Sequence, residues 1–296
     1  QEMRTQMERV EDVMEYPTDV NAEDHGAEVT ELSKLKGGVE LKNVTFGYSR
    51  LEAPLIEDFS LYLKTGQRVA LVGSSGCGKS TLLSLLSGLN KPKSGEILVD
   101  GKKIKGPGVD RAVVFQHYSL FPWLTVKGNV LFGIKQSGRK LGRKERSELA
   151  ERYVESVGLS SAKDRYPSQL SGGMKQRVAV ARALALESDI LLLDEPFGAI
   201  DPRLRLELQE LVSKLCTEHH KTVVFITHDV DEAILLADRI VVMEPGKIRS
   251  IHKVKFDHPR IREELSGTEE YEKLHRQLIL AFYDRVGEQI DAGVAL

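Results

Sequence analysis

Residues 73–80 read Gly-Ser-Ser-Gly-Cys-Gly-Lys-Ser, and this stretch decides the fold. It follows a short apolar segment, Arg68 to Val72, that predicts a strand, and it precedes leucines at helical spacing. A strand, a glycine-rich turn and a helix in that order give the context that the pattern G-x-x-x-x-G-K-[ST] requires. Backbone N–H groups of such a turn close around phosphates, and the helix N-terminus adds positive potential. We therefore predict a phosphate-binding loop here.

Two side chains of this loop carry specific chemistry. Lys79 can reach the β- and γ-phosphates of a nucleotide, and the Ser80 hydroxyl can ligate Mg²⁺. The alternative, a glycine-rich turn without a ligand, leaves the Lys and Ser at the last two positions unexplained. The residues predicted to contact the nucleotide are Gly73, Ser74, Ser75, Gly76, Cys77, Gly78, Lys79, Ser80 and Thr81.

A second apolar segment, Ile190 to Leu193, predicts a buried strand that ends in two acids. Asp194 stands where a carboxylate can hold Mg²⁺ through water, and Glu195 can act as a general base on an attacking water. A strand that ends in Asp-Glu is a weak signal by itself. Its position downstream of a phosphate loop makes the pair a candidate catalytic centre.

Residues 170–176, Leu-Ser-Gly-Gly-Met-Lys-Gln, predict another anion site. Ser171 can cap a helix that runs from about Met174 to Leu186, and the two glycines free the backbone N–H groups. One chain thus carries two phosphate-binding helix starts. The economical explanation is a head-to-tail dimer, in which each ATP lies between the Gly73 loop of one copy and the Ser171 loop of the other.

The wider pattern predicts an α/β protein. Apolar strands such as Ile190 to Leu193 and Thr222 to Thr227 alternate with amphipathic helices, which is typical of a parallel sheet covered on both faces. The 296 residues have a net charge of -2, which excludes a strongly basic nucleic-acid binder. No apolar run approaches the roughly 18 residues of a membrane span, and two cysteines make no disulfide framework.

With every motif in order over about residues 38–250, the chain resembles the ATP-binding cassette of ABC transporters. The resemblance implies a P-loop NTPase with a RecA-like core, an antiparallel β subdomain and an α-helical signature subdomain at about 119–180. Residues 1–37 are then a helical and linker tail. Residues 251–296 are a C-terminal helical extension.

The resemblance also implies roles for single residues. Gln116 matches the glutamine that touches Mg²⁺ and faces the membrane subunit, and His228 matches the switch histidine that contacts the γ-phosphate. Tyr48 matches the aromatic residue that stacks on adenine. The implied catalytic residues are Glu195, His228, Lys79 and Gln116. The implied metal ligands are Ser80, Gln116 and Asp194. Further nucleotide contacts come from Tyr48, Ser171, Gly172, Gly173 and Asp201. The chain departs from the family pattern at Met174 and Gly198, where Gln and Ser are usual.

Two parts of the chain resemble different relatives. From about Gly73 onward it is similar to ATPase subunits that drive import of nitrate, sulfonate and taurine-like anions, notably in residues 106–111, 121–125, 170–174 and 194–199. Residues 1–72, in contrast, resemble the linker and first strands of peptide or bacteriocin exporters. We therefore keep open the hypothesis of a hybrid chain joined near the phosphate loop.

Three functional classes follow from these observations. We favour an ATPase subunit of an anion importer, which works on the cytoplasmic face of the membrane with a second copy and permease subunits. An exporter cassette and a soluble ABC ATPase outside transport are the alternatives. The long coiled-coil insertion or second cassette that is usual in the soluble class is missing. A binding-only module would be expected to lose Lys79 or Glu195, and both are present.

Overall fold

Strands buried on both faces form the centre of the structure. The computed structural model describes residues 37–49, 51–198 and 200–293, with side chains described as far as residue 282. The strands of this part of the chain are β1 (Val39–Phe46), β2 (Ile56–Leu63), β3 (Arg68–Gly73), β4 (Ser94–Val99), β5 (Lys102–Lys103), β6 (Arg111–Val114), β7 (Ile190–Asp194), β8 (Thr222–Ile226), β9 (Arg239–Glu244) and β10 (Lys247–Lys253).

These strands form two sheets. The small sheet has the order β2-β1-β4-β5 and is antiparallel, as the resemblance predicted. The large sheet has the order β10-β9-β3-β8-β7-β6, and all its pairs are parallel except that of β10 with β9. Every residue of β3, β7 and β8 is buried. The predicted α/β fold with a parallel core and an antiparallel β subdomain is therefore confirmed.

Helices cover the large sheet on both faces. In the described residues they are α1 (Lys79–Ser87), α2 (Val126–Gln136), α3 (Arg143–Ser156), α4 (Gly172–Ala185), α5 (Pro202–Glu218), α6 (Val230–Leu236), α7 (Arg262–Leu265) and α8 (Glu269–Gly293). Alternate residues of β3 show the two layers. Val69 and Leu71 pack with α1 and the small sheet, whereas Ala70 and Val72 pack in the cluster that contains α4, α5 and α6. The helix after the phosphate loop therefore lies between the two sheets.

The predicted helical subdomain contains α2, α3 and most of α4, which pack on one another. Helix α3 is rich in charged residues and ends before Gly158, whose φ of 67° lies in the left-handed region that favours glycine. Helix α4 begins at Gly172, two residues before the predicted start. The reason is that the Ser171 hydroxyl accepts a hydrogen bond from Met174 N at 3.3 Å and is the N-cap, so that the next residue, Gly172, is the first of the helix.

The C-terminal region differs in detail from the sequence-based expectation. The sheet continues to Lys253, past the expected boundary at residue 250, because β10 pairs with β9 along its length. The expected helical stretch is divided into α7 and α8. Helix α8 is fastened to α6 by a hydrogen bond of 2.6 Å from the Tyr271 hydroxyl to Asp231 Oδ1.

The helix and linker predicted for residues 1–37 lie outside the described residues, apart from Gly37. Within the described part of the chain, none of the helices combines the length and apolarity that crossing a membrane requires.

Candidate functional site

The phosphate loop joins β3 to α1, and its conformation requires glycine at two positions. Gly78 has a φ of 104°, and a Cβ at this position would lie 2.5 Å from Cδ1 of Ile56. A Cβ on Gly73 would lie 2.5 Å from the carbonyl oxygen of Met243 on the neighbouring strand β9. The backbone of Met243 leaves no room for a Cβ at Gly73, and the φ of Gly78 is strained for any residue with a Cβ, so both positions need glycine for the chain to turn and start α1.

Lys79 is held over this loop by the loop's own carbonyl groups. Its Nζ donates hydrogen bonds of 2.8 Å to the carbonyl oxygens of Gly73 and Ser74, and it lies 3.6 Å from Cys77 Sγ. Cys77 itself is fully buried. The ammonium group is thus fixed at the loop, where the sequence predicts that the nucleotide phosphates bind.

Tyr48 lies beside the start of α1. Its hydroxyl is 3.3 Å from Thr81 Oγ1, and its ring meets Phe46 edge-on at a centroid distance of 5.0 Å. The Tyr48 side chain is exposed. An exposed aromatic ring next to the phosphate loop offers a flat apolar face to a base.

Asp194 and Ser80 meet at the end of β7. Asp194 is buried, and burial raises the pKa of its carboxyl group, while a hydrogen bond from Ser80 lowers it. Lys79 and His117 lie nearby, and their positive charges also lower this pKa. A carboxylate and a hydroxyl are ligands that Mg²⁺ prefers, and a cation would offset the cost of a charged carboxylate in this buried place. The residues therefore fit the predicted metal.

Glu195, Gln116 and His228 come together from three loops. Gln116 Nε2 donates a hydrogen bond of 3.2 Å to Glu195 Oε2, and His228 Nδ1 lies 3.7 Å from Glu195 Oε1. Glu195 has a φ of 46°, uncommon for a residue other than glycine. Its N–H donates to the Ile226 carbonyl oxygen at 3.1 Å, which fixes this backbone at the end of β8. A carboxylate held in this way is placed to accept a proton.

The predicted second anion site lies on the opposite face of the large sheet. Ser171 and Gly172 are exposed at the N-terminus of α4, which packs on α2, α3 and β6. Helix α1, which starts at Lys79, packs on the other face. The structure therefore does not bring the Ser171 loop to the phosphate loop of the same chain.

Three further positions have structural roles of their own. The Asp201 side chain accepts a hydrogen bond of 3.0 Å from Arg203 N and caps α5. Met174 packs, partly buried, against the core of the helical face, so its apolar side chain is accommodated there. Gly198 donates a hydrogen bond of 3.3 Å to the Glu195 carbonyl oxygen, which holds the turn after the acid pair.

Sequence reasoning missed the side chain that holds the loop after Gln116. Tyr118 and Ser119 both have positive φ angles, 58° and 46°. Arg182 of α4 donates to the carbonyl oxygens of Ser119 at 2.7 Å and Tyr118 at 3.4 Å, and its guanidinium lies 5.4 Å from the centroid of the Phe121 ring. An arginine on an amphipathic helix carries no local signal for this role.

Together, the phosphate loop, the acid pair and the two-sheet fold define a P-loop protein of the cassette class. The ABC transporter family model matches residues 56–198. The nitrate import ATP-binding protein NrtD of Synechococcus elongatus is 43% identical over 250 residues, which cover 83% of this chain and 91% of that protein. The chain therefore belongs to the ABC transporter family.

Other relatives support the same family. An uncharacterized ABC transporter ATP-binding protein of Methanocaldococcus jannaschii is 42% identical over 251 residues, 83% of this chain and 93% of that protein. The bicarbonate transport ATP-binding protein CmpC of Synechococcus elongatus is 48% identical over 227 residues, 76% of this chain. This chain spans only 34% of CmpC.

Among solved structures, the chain is similar to a dimeric, post-hydrolysis ATP-binding cassette, MJ0796, bound to ADP and Pi. The TM-score is 0.68 and the identity 34%, over 74% of this chain and 100% of that one. The match of 251 residues to the archaeal protein is longer than the stretch from Gly73 to Leu296. Similarity to these relatives thus does not begin at the phosphate loop, and the hybrid origin stays a hypothesis.

Proposed function

We propose that two copies of this chain form a head-to-tail ATPase that powers a permease for a small inorganic anion. The observation that carries the dimer is the placement of α1 and α4 on opposite faces of the large sheet. One chain binds phosphates at its Gly73 loop on one face of the large sheet and presents its Ser171 loop on the opposite face. Two copies related by a twofold axis complete two equal sites.

Each residue of one site has its own role. Lys79 and the loop N–H groups bind the phosphates, and the exposed Tyr48 ring receives the adenine. Ser80, Gln116 and Asp194 would hold Mg²⁺. The metal, when bound with ATP, supplies positive charge that offsets the charge on the phosphates.

Hydrolysis then depends on groups at the ends of β7 and β8. Glu195 accepts the proton of the attacking water, and Gln116 and His228 keep its carboxylate at the site through the contacts described above. His228 is exposed and can also reach the γ-phosphate. The partner copy closes the site with N–H groups of its residues 171–173, which excludes water around the reacting phosphate.

The permease surface is proposed beside the Gln116 loop. Phe121, Trp123 and Phe132 form an aromatic group there, with ring centroids 5.5 Å apart for Phe121 and Trp123 and 4.5 Å apart for Phe121 and Phe132. Trp123 is 64% exposed. Exposed aromatic residues are typical of the energetic centres of protein interfaces. Docking here would place the dimer on the cytoplasmic face of the membrane.

The cargo is proposed from the relatives. NrtD and CmpC are named for nitrate import and bicarbonate transport, so a small inorganic anion is the proposed substrate class. Cargo is recognised by membrane and binding subunits, so this chain would supply only the energy and the permease contact.

The test is a pull-down of this chain with a nitrate-type permease and with a peptide-exporter membrane domain, each alone. We expect retention by the anion permease. A control chain with residues 116–170 exchanged for those of an exporter cassette should lose that retention. Retention of the unexchanged chain by the exporter domain would contradict the importer assignment and favour the exporter alternative.

A further inference from the structure

A buried polar network lies directly behind the loop that carries His228. Thr227, Glu232 and Gln209 are 2%, 6% and 6% exposed. They belong to three different parts of the structure: Thr227 follows β8, Glu232 lies in α6 and Gln209 lies in α5. None of the three has a role in the catalytic steps proposed above.

The hydrogen bonds of this network converge on the Glu232 carboxylate. Asp229 N–H donates to Thr227 Oγ1 at 3.0 Å, and the Thr227 hydroxyl donates to Glu232 Oε2 at 2.5 Å. Gln209 Nε2 donates to Glu232 Oε1 at 2.8 Å. A hydroxyl group has one proton to donate, so Thr227 can bond to both groups only if it accepts from Asp229 N–H and donates to Glu232. Each oxygen of the Glu232 carboxylate thus has its own donor.

The network fixes His228 from both sides. Thr227 and Asp229 are its chain neighbours, and both are bonded within the network. Asp229 is also 3.9 Å from the Arg205 guanidinium of α5, and its Oδ1 accepts hydrogen bonds from the N–H groups of Asp231 and Glu232. The His228 backbone therefore cannot shift without breaking the hydrogen bonds of Thr227 and Asp229, and breaking them would cost free energy.

Such a buried carboxylate is not needed to hold α5 and α6 together. Apolar side chains of similar volume would pack these helices at least as well, because burying a carboxylate costs free energy. Burial raises the pKa of Glu232, which shows the same cost. A buried polar group that the packing does not require points to a positioning role.

We propose that Glu232 is a positioning residue of the ATPase reaction: through Thr227 it holds the exposed His228 imidazole at the γ-phosphate position. Gln209 ties this arrangement to α5, the helix that Asp201 caps shortly after Glu195. The two loops that carry Glu195 and His228 are thereby braced by one helix. This inference rests on the proposed role of His228 in hydrolysis.

The test compares Thr227→Val with Thr227→Ser. Valine keeps the shape of threonine but lacks the hydroxyl, whereas serine keeps the hydroxyl and loses only a methyl group. For Thr227→Val we expect kcat for ATP to fall about 10- to 100-fold, since a misplacement of about 1 Å near a reacting group costs up to about 100-fold. The KM for ATP should stay within about twofold, because the phosphate loop is untouched. Thr227→Ser should recover most of kcat.

A second variant covers the case in which Thr227→Val fails to fold. Gln209→Met keeps the size of the side chain and removes only the donor to Glu232 Oε1, so kcat should fall several-fold at constant KM. Circular dichroism and urea unfolding establish that each variant is folded.

The outcomes separate this inference from the proposed function. An inactive wild-type chain would contradict the ATPase assignment itself. An active wild type with unchanged kcat in Thr227→Val and Gln209→Met would overturn the positioning role. Equal losses in Thr227→Val and Thr227→Ser would overturn it too, because they would show that the methyl group and its packing are what matters.

Discussion

The carboxylate of Glu195 lies 3.7 Å from Nδ1 of His228, although 32 other residues separate the two in the chain. The register of the sheet produces this contact. Asp194 at the end of β7 is paired with Ile226 at the end of β8, so the residues that follow each strand emerge side by side. Parallel strands place their carboxyl ends at one edge, and a catalytic base and its neighbour can therefore be assembled there.

The first prediction concerns this base. Glu195→Gln should keep nucleotide affinity and lower ATP turnover about 100- to 10,000-fold, because it removes the proton acceptor and leaves the phosphate loop intact. ATP turnover and nucleotide affinity should be measured on the same preparation. Glu148→Gln is a matched control, since Glu148 lies exposed on α3, and it should keep full turnover. A Glu195→Gln enzyme within a few-fold of wild type would remove Glu195 from this role.

A second prediction concerns Arg182. Arg182→Ala removes the hydrogen bonds to the Tyr118 and Ser119 carbonyl groups and the contact with Phe121. We expect the free energy of unfolding to fall by about 1.5–3 kcal/mol, the range for hydrogen bonds to charged groups. Urea unfolding measures it. Arg152→Ala, at an exposed position, should stay within about 0.5 kcal/mol of wild type. Equal effects of the two variants would show that Arg182 does not hold this loop.

The third prediction is a pH dependence of stability at Asp238. Burial raises the pKa of its carboxyl group, but hydrogen bonds from His258 and from Arg68 N, with the charges of both residues, outweigh burial and hold the pKa below its usual value. His258 Nε2 lies 3.0 Å from Asp238 Oδ1, and Arg68 N lies 2.8 Å from Oδ2. The folded chain thus binds this proton less readily than the unfolded chain. Its stabilising effect is complete above about pH 4 and is lost as the pH falls through the folded pKa.

Asp238→Asn should therefore be less stable than wild type at neutral pH, and the difference should shrink as the pH falls below about 4. Urea unfolding between about pH 3 and pH 7 measures this difference. Asp164→Asn, which changes an exposed carboxylate, should differ little from wild type at any pH. A gap between Asp238→Asn and wild type that is the same at every pH would contradict the linkage.

The residues that the sequence could predict are those with a local pattern. The phosphate loop, the acid pair after β7 and the Ser171 cap each combine distinctive residue types with a fixed spacing. The hydrogen bond between Gln116 and Glu195 has no such signal, because it joins positions 79 residues apart through the order of strands. This hydrogen bond forms only because the sheet places the two loops next to each other.

Other features escaped prediction for different physical reasons. Strand β9 is placed in the sheet by parallel pairing with β3, which lies far earlier in the chain, so no local pattern marks its position. The left-handed backbone at Tyr118 and Ser119 is uncommon for residues with a Cβ, and only the tertiary contact with Arg182 accounts for it. Sequence reasoning thus pointed to the candidate catalytic groups, but not to the groups that hold them.

In the proposed dimer each ATP site is shared by two copies, and a mixture of two inactive variants tests this sharing. Lys79→Ala disables the phosphate loop, and Ser171→Arg places a bulky charged side chain at the partner's loop. A head-to-tail dimer of one chain of each kind contains one site with both changes and one site with neither. We predict that each variant alone is inactive and that the mixture recovers part of the ATP turnover. No recovery, although sedimentation shows that the mixed dimer forms in the presence of ATP, would contradict the shared site.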